Sequence, residues 1–166
     1  MMNQEKIMEL VLDHYENPRN YGTKEDSNVV YEGGNPGCGD IITIYMDIDS
    51  NGVVSGISFS GEGCMVSQAG TSMVLERMKG KTLSELEAMP ADIVRETLGK
   101  KLVSTRPDCA RLGFNTMKNA IKKWRRLKTL SSIEDSKDYS VMSILDFNVS
   151  TFERRMRYGC RECNLP

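Results

Sequence analysis

The feature that most limits the fold of this chain is a run of alternating apolar and polar residues at positions 42–48. Isoleucine or methionine occupies every second position, which is the pattern of a half-buried strand. The turn sequence Asp-Ser-Asn-Gly at 49–52 predicts a hairpin, and the apolar residues within 53–59 line one face of the next strand. With a short apolar run at 29–31, the middle of the chain predicts an antiparallel sheet of about three strands whose apolar face needs a cover.

Apolar residues at helical spacing, before and after this sheet in the sequence, predict helices that cover it. The predicted helices span residues 3–15, 66–79, 83–89, 91–98 and 108–127. A polar stretch at 131–140 is typical of a linker, and the apolar residues after it predict one more amphipathic helix. We therefore predict an α+β fold, a three-stranded antiparallel sheet covered by helices, with an extra C-terminal helical extension. The main folded domain is expected over 1–127 and the extension over 128–166.

The balanced charge of the chain argues against a nucleic-acid partner. The 166 residues carry 22 basic and 23 acidic side chains, for a net charge of −1, so no broad positive field exists. One basic run at 122–128 contains Trp124, but this tryptophan belongs to the apolar stripe of a predicted helix and is not free to stack on bases. The chain lacks an apolar run of about 18 residues and its start is too charged for a signal peptide. We therefore expect a cytoplasmic protein with no membrane partner.

Three cysteines lie in loops or at helix starts rather than in apolar stripes. Cys38 stands between two glycines before a strand, Cys64 follows Gly-Glu-Gly before a helix, and Cys109 opens the last predicted helix. Because a helix N-terminus stabilises a thiolate, we expect Cys64 and Cys109 to be acidified. Thiolates bind zinc or iron–sulfur clusters, and acidic thiols carry sulfur as persulfide. The spacing alone is equally compatible with ordinary turn and cap cysteines.

Four sequence blocks around these cysteines resemble a known family. They are DHYENPRNYG at 13–22, NPGCGD at 35–40, GEGCMVSQAGTSMVLERMKGKT at 61–82 and CARLGFNTMKNAI at 109–121. In this order and spacing they resemble the IscU/SufU/NifU-N family of iron–sulfur cluster assembly scaffolds, over about residues 3–126. Agreement between several separate blocks is more specific than any single motif.

The resemblance implies an assembly scaffold and not an enzyme. Such a scaffold accepts sulfur as persulfide from a cysteine desulfurase, collects iron, builds a [2Fe-2S] cluster and transfers it to apo acceptor proteins. The positions that match the family's site are Cys38, Asp40, Cys64 and Cys109, and Cys109 matches the usual persulfide acceptor. A carboxylate is a harder donor than a thiolate, so Asp40 would hold a soft cluster weakly, although Asp40 alone is also compatible with an Asx-type turn. The alternative function is a zinc-containing, SufU-like persulfide transfer protein.

Two positions depart from the IscU branch of that family. The branch has histidine before the third cysteine, where this chain has Asp108, and lysine three residues before it, where this chain has Arg106, as the SufU branch does. Asp108 could be an alternative oxygen ligand or the N-cap of the helix, which we favour. Arg106 could pair with the negative charge of a cluster or with Asp40. The SufU branch also carries an insertion between the second and third cysteines, for which this chain has no obvious room.

The C-terminal residues lie outside the resemblance. Cys160 and Cys163 form one CxxC pair, which alone is compatible with redox activity, with half of a metal site shared between subunits, or with no function. The sequence leaves the oligomeric state open, including a homodimer.

Overall fold

The computed structural model describes residues 4–135. The chain divides into two units, residues 1–128 and residues 129–166, and the sheet and the cysteine-bearing loops belong to the first. In chain order the elements are α1 (Gln4–Glu16), β1 (Val29–Asn35), β2 (Asp40–Ile48), β3 (Val54–Glu62), α2 (Met65–Glu76), α3 (Leu83–Ala88), α4 (Asp92–Leu98), α5 (Lys100–Thr105) and α6 (Pro107–Asp135).

The sheet confirms the three predicted strands. Its order is β1-β2-β3 with both pairs antiparallel, and β2 is central with every second side chain buried. The outer strands run further than their apolar patterns, β1 through Gly33 and Gly34 and β3 through Gly61. These glycines pair with Ile41 and Ile42 through their backbones, and backbone pairing needs no side chain.

Helices cover one face of the sheet and confirm the predicted α+β fold. α2 packs against β3, α1 and α4 pack against α2, and Thr116 of α6 lies against Gly33 of β1. Side chains from the strands and the helices form one buried core, which includes Ile42, Ile44, Phe59, Leu75, Leu98 and Met117. Within residues 4–135, no helix has an apolar stretch of the length that a bilayer crossing needs.

Two helices differ from their predictions. α5 was not predicted, because Gly99 precedes it without the capping box of Thr82 and Glu85 that begins the equally short α3. α6 begins at Pro107, a residue favoured at the first helical position, so Asp108 lies inside the first turn and is not the N-cap that we favoured.

The C-terminal end of α6 also differs from its prediction. The helix continues past residue 127 to Asp135, into the stretch expected to be a linker. The helix predicted after residue 140, together with Cys160 and Cys163, lies outside the described residues. The domain boundary at 127/128 stays a prediction.

His14, the only histidine of the chain, is buried where α1 packs against α2. Its Nδ1 lies 2.8 Å from the Ser72 hydroxyl, which accepts a hydrogen bond from the Arg19 backbone N–H at 2.7 Å. Burial, followed by the charge of Arg19, lowers the pKa of His14 against weaker opposing effects of Glu76 and Asp13. The folded protein therefore favours the neutral imidazole.

We predict that His14 makes the fold less stable as the pH falls below neutrality. In the unfolded chain the histidine takes up a proton near its ordinary pKa of 6.5, whereas the folded histidine stays neutral to a lower pH. Stability is therefore lost as the pH falls through this window. Urea unfolding at about pH 7.5 and about pH 5 should show a larger loss for the wild type than for His14→Asn, which cannot be protonated there. Equal losses in the two proteins would contradict this prediction.

Candidate metal centre

Cys38 lies in the turn between β1 and β2, and its side chain is exposed. The turn is closed by Asn35, whose backbone C=O accepts hydrogen bonds from the N–H groups of Cys38 at 3.1 Å and Gly39 at 2.9 Å. The Asn35 side-chain oxygen accepts another from the Gly37 N–H at 3.2 Å. Gly39 has φ +72°, a left-handed conformation that glycine adopts at little cost. The turn thus presents Cys38 to solvent and delivers Asp40 to the start of β2.

Asp40 is buried and connects the start of β2 to the loop before α2. Its Oδ1 accepts a hydrogen bond from the Cys64 backbone N–H at 2.9 Å, and its Oδ2 accepts one from the Cys64 thiol at 3.6 Å. A Cβ on Gly63 would lie 3.1 Å from the Asp40 side chain and closer still to Ser67, so a glycine allows this approach. Asp40 therefore bonds to a residue 24 positions away, which an Asx-type turn does not do.

Hydrogen bonding keeps the Asp40 carboxylate charged at neutral pH. Burial acts to raise its pKa, but the hydrogen bonds from the Cys64 backbone N–H and then from nearby side chains, first that of Cys109, outweigh it. The pKa of Asp40 is therefore below its ordinary value. A charged carboxylate among thiols attracts a cation to this place.

Cys64 and Cys109 lie at the starts of two helices, as the sequence predicted. Cys64 is the N-cap residue of α2, with an extended backbone and no capping hydrogen bond from its own side chain. Cys109 is the third residue of α6 and is only 1% exposed. Its thiol donates to the Cys38 Sγ at 3.2 Å.

The expected acidification of Cys109 is wrong for this arrangement. Burial, followed by hydrogen bonding to Cys38, Asp40 and Cys64, raises the pKa of the Cys109 thiol. Desolvation disfavours the thiolate more strongly than the start of α6 favours it. Cys109 is therefore a protonated thiol in the absence of a metal.

The four residues singled out by the sequence converge in the structure. Ligand atoms of Cys38, Asp40 and Cys109 all lie within 4.8 Å of one another, and the group contains one exposed and two buried residues. Cys64 adjoins this group through its contact with Asp40. Three sulfur donors and one carboxylate oxygen form a set that suits zinc or an iron–sulfur cluster.

Arg106 and Asp108 are both exposed near the start of α6. Among the hydrogen bonds and ion pairs of residues 4–131, none joins the Arg106 side chain to Asp40. Asp108 is not one of the three residues that share ligand distance. Its role as a ligand and the role of Arg106 beside the site stay predictions.

Comparison with known proteins places this chain in a family. The family model described as the NifU-like N terminal domain matches residues 6–130. The chain belongs to this family.

Relatives of this NifU-like chain fall into both branches considered above. "Iron-sulfur cluster assembly scaffold protein IscU 1" of Archaeoglobus fulgidus is 40% identical over 111 residues, which cover 67% of this chain and 71% of the relative. "Zinc-dependent sulfurtransferase SufU" of Bacillus subtilis is 41% identical over 81 residues, which cover 49% of this chain and 54% of the relative. A solved structure from Fervidobacterium islandicum, described as a candidate iron-sulfur cluster assembly scaffold for the SUF system, superposes with a TM-score of 0.58 at 27% identity. That superposition covers 68% of this chain and 94% of the other.

Asn35 is a residue of this NifU-like site that sequence reasoning missed. Its Nδ2 donates to the Cys109 Sγ at 3.4 Å while its Oδ1 holds the Gly37 N–H, so one amide joins the Cys38 turn to α6. Asparagine before Pro-Gly is an ordinary turn signal. The bond to Cys109 spans 74 residues and has no sequence signature.

We predict that Asn35→Ala makes the Cys109 thiol more reactive, because the Cys38 turn that lies against it loses an anchor. In the metal-free, reduced protein, the rate at which iodoacetamide labels Cys109, measured by mass spectrometry, should rise several-fold. The variant should also lose about 1 kcal/mol of stability through the missing hydrogen bonds.

Asn28→Ala is the matched control for this measurement. Asn28 also makes two side-chain hydrogen bonds, to the N–H and the C=O of Ile48, and these lie outside the site. This variant should lose similar stability without faster labelling of Cys109. Equal labelling rates in the two variants would show that Asn35 supports only the general fold.

Proposed function

We propose that this chain is a scaffold for iron–sulfur cluster assembly. It accepts sulfur from a cysteine desulfurase, binds iron, builds a [2Fe-2S] cluster and transfers the cluster to apo acceptor proteins. The observation that carries the proposal is the convergence of Cys38, Cys64 and Cys109 with a buried, charged Asp40. The relatives named as IscU scaffolds support it, and a cytoplasmic location is part of the same prediction.

The donor set suits a cluster that must be both held and released. Thiolates are soft ligands and bind iron–sulfur cores strongly, whereas a carboxylate oxygen is hard and binds them less firmly. One oxygen of Asp40 is also already engaged, since its Oδ1 accepts a hydrogen bond from the Cys64 N–H. A site with three strong donors and one weak, occupied donor retains its cargo less tightly than four thiolates would.

Acceptance of sulfur requires a thiolate that the donor can reach. The attacking thiolate bonds to the outer sulfur of the donor's persulfide, and the donor's own sulfur leaves as a thiolate, so no external oxidant is needed. Cys109 matches the family's acceptor, but it is buried and protonated here, whereas Cys38 is exposed beside it. Transfer to Cys109 therefore requires the Cys38 turn to move aside.

The alternative function is a zinc-containing persulfide transfer protein. Three cysteine sulfurs and one carboxylate also suit tetrahedral zinc, and the Bacillus subtilis relative is named a zinc-dependent sulfurtransferase. The arginine at position 106, which resembles the SufU branch, also favours this reading. The two functions differ in the metal that the purified protein contains.

We predict that anaerobic reconstitution with iron, cysteine and a desulfurase gives a [2Fe-2S] spectrum and that the cluster moves to an apo-ferredoxin. Cys38→Ser, Cys64→Ser and Cys109→Ser should each greatly reduce cluster formation, because each removes a thiolate ligand. The matched control is the double variant Cys160→Ser/Cys163→Ser, which should retain formation and transfer.

Three outcomes would contradict the scaffold proposal. Failure to form or to transfer a cluster would remove it outright. Stoichiometric zinc in protein purified without oxygen, together with efficient persulfide acceptance, would favour the alternative function. Loss of activity only in the Cys160→Ser/Cys163→Ser variant would instead indicate a thiol redox protein.

We predict that replacing Asp40 makes a bound cluster longer-lived and slows its transfer, because the weak oxygen donor is removed. Asp40→Ala also deletes the acceptor of the Cys64 N–H and should lower stability by about 1–2 kcal/mol. Asp40→Asn keeps an oxygen acceptor while removing the charge, and so separates the two effects. Decay of the visible spectrum and transfer to apo-ferredoxin are the measurements. Faster loss of the cluster from Asp40→Ala would contradict a role in lability.

A further inference from the structure

A groove of about 1310 Å³ lies beside the candidate centre, between α1 and the segment that contains α4 and α5. Apolar side chains from four helices line it: Ile7, Met8, Met65, Val66, Leu98 and Leu102. Met8 is 47% exposed, although it is a large apolar residue on the first helix. The groove exceeds the volume of about 300–1,000 Å³ that small-molecule sites usually have. An occupant of this size is more naturally a piece of polypeptide.

The charges around this groove are mainly positive. Five basic residues line it against two acidic ones, Glu5 and Glu96. Two of the five are engaged: Arg77 donates to the Thr97 hydroxyl, and Arg95 pairs with Asp92.

The other three cations lie on or next to α5. Lys100, Lys101 and Arg106 are exposed, and they take part in no ion pair within the described chain. Their arrangement over an apolar surface complements a ligand with apolar residues on one side and carboxylates along its flanks.

The lining elements restrict the conformation of the occupant. The groove is lined by helices and their flanking residues, with no residue of β1, β2 or β3 among them. It therefore offers no strand edge with which an extended peptide could pair. A bound segment has to satisfy its own backbone hydrogen bonds, as a helix does.

We propose that this groove binds an acidic, amphipathic helical segment of a partner protein. Nucleic acid fits poorly, since the lining contains no aromatic side chain on which a base could stack. A bilayer fits poorly because the surface is concave. Cys64 also lines the groove, so the bound segment lies next to the centre. The binding itself requires neither metal nor sulfur, and it can therefore be tested independently of the scaffold function.

The test uses the metal-free full chain and two labelled peptides of about 18 residues. One peptide has leucines at i, i+3, i+4 and i+7 and glutamates elsewhere, and the other has lysines in place of the glutamates. Fluorescence anisotropy should show binding of the acidic peptide, weakened by salt, and no binding of the basic peptide. Lys100→Glu/Lys101→Glu should weaken the binding by about tenfold or more.

Lys122→Glu/Arg126→Glu is the control, because it makes the same change of charge at two exposed positions of α6 that do not line the groove. It should leave the affinity within about twofold of wild type. Equal effects of the two double variants, equal binding of the two peptides, or no binding of either would overturn the proposal. Binding to vesicles of phosphatidylserine and phosphatidylcholine without binding to the acidic peptide would assign the surface to a membrane instead.

Discussion

The candidate centre depends on the hydrogen bond from the Cys64 backbone N–H to the Asp40 carboxylate. Asp40 begins β2 and Cys64 precedes α2, so this bond joins the edge of the sheet to the start of a helix. The first turn of α2, which lies within the described residues, contains no acidic residue and receives no capping bond from Cys64. Asp40 therefore supplies the negative charge that a helix N-terminus favours. Cys38 lies two residues before Asp40, in the turn that Asn35 closes.

The same packing buries Cys109 and disfavours its thiolate form. The N-terminus of α6 favours its thiolate by about 0.3–1 kcal/mol, whereas removing an ion from water costs several kcal/mol. Burial and the neighbouring sulfurs therefore keep the thiol protonated, and its pKa is raised. Binding of a metal ion or a cluster has to release this proton. The candidate donor atoms of Cys38, Asp40 and Cys109 are thus already close together, whereas the Cys109 thiol still carries its proton.

Short-range patterns were sufficient to predict the sheet and the positions of the three cysteines. The alternation at 42–48 and the turn after it led directly to β2 and β3, since both signals lie within a few residues. α5 has six residues and no such signal. The pKa of Cys109 depends on burial and on Cys38, which is 71 residues away. The expectation from its helix N-terminus alone, a lowered pKa, was therefore in the wrong direction.

The positively charged groove could not be predicted from the sequence either, because it too forms between segments that are distant in the chain. Its cations come from the residue after α2, from α4 and α5, and from the residue before α6, and each taken alone is an ordinary exposed charge. Only packing places them around one apolar surface. Prediction from the chain was therefore reliable for the alternating strand and its turn, and it missed the pKa of Cys109 and the groove, which depend on the packing of distant segments.

The groove and the centre share the start of α2. The groove is lined in part by Cys64, Met65 and Val66. The backbone N–H of Cys64 also donates a hydrogen bond to Asp40 at the start of β2. Arg106 lines the groove as well and stands three residues before Cys109. A segment bound there would contact Cys64 itself and Arg106, which precedes the helix that carries Cys109. Such contacts change the affinity for cargo only to the extent that they differ between the loaded and the empty centre. Cys38, in contrast, is exposed and does not line the groove.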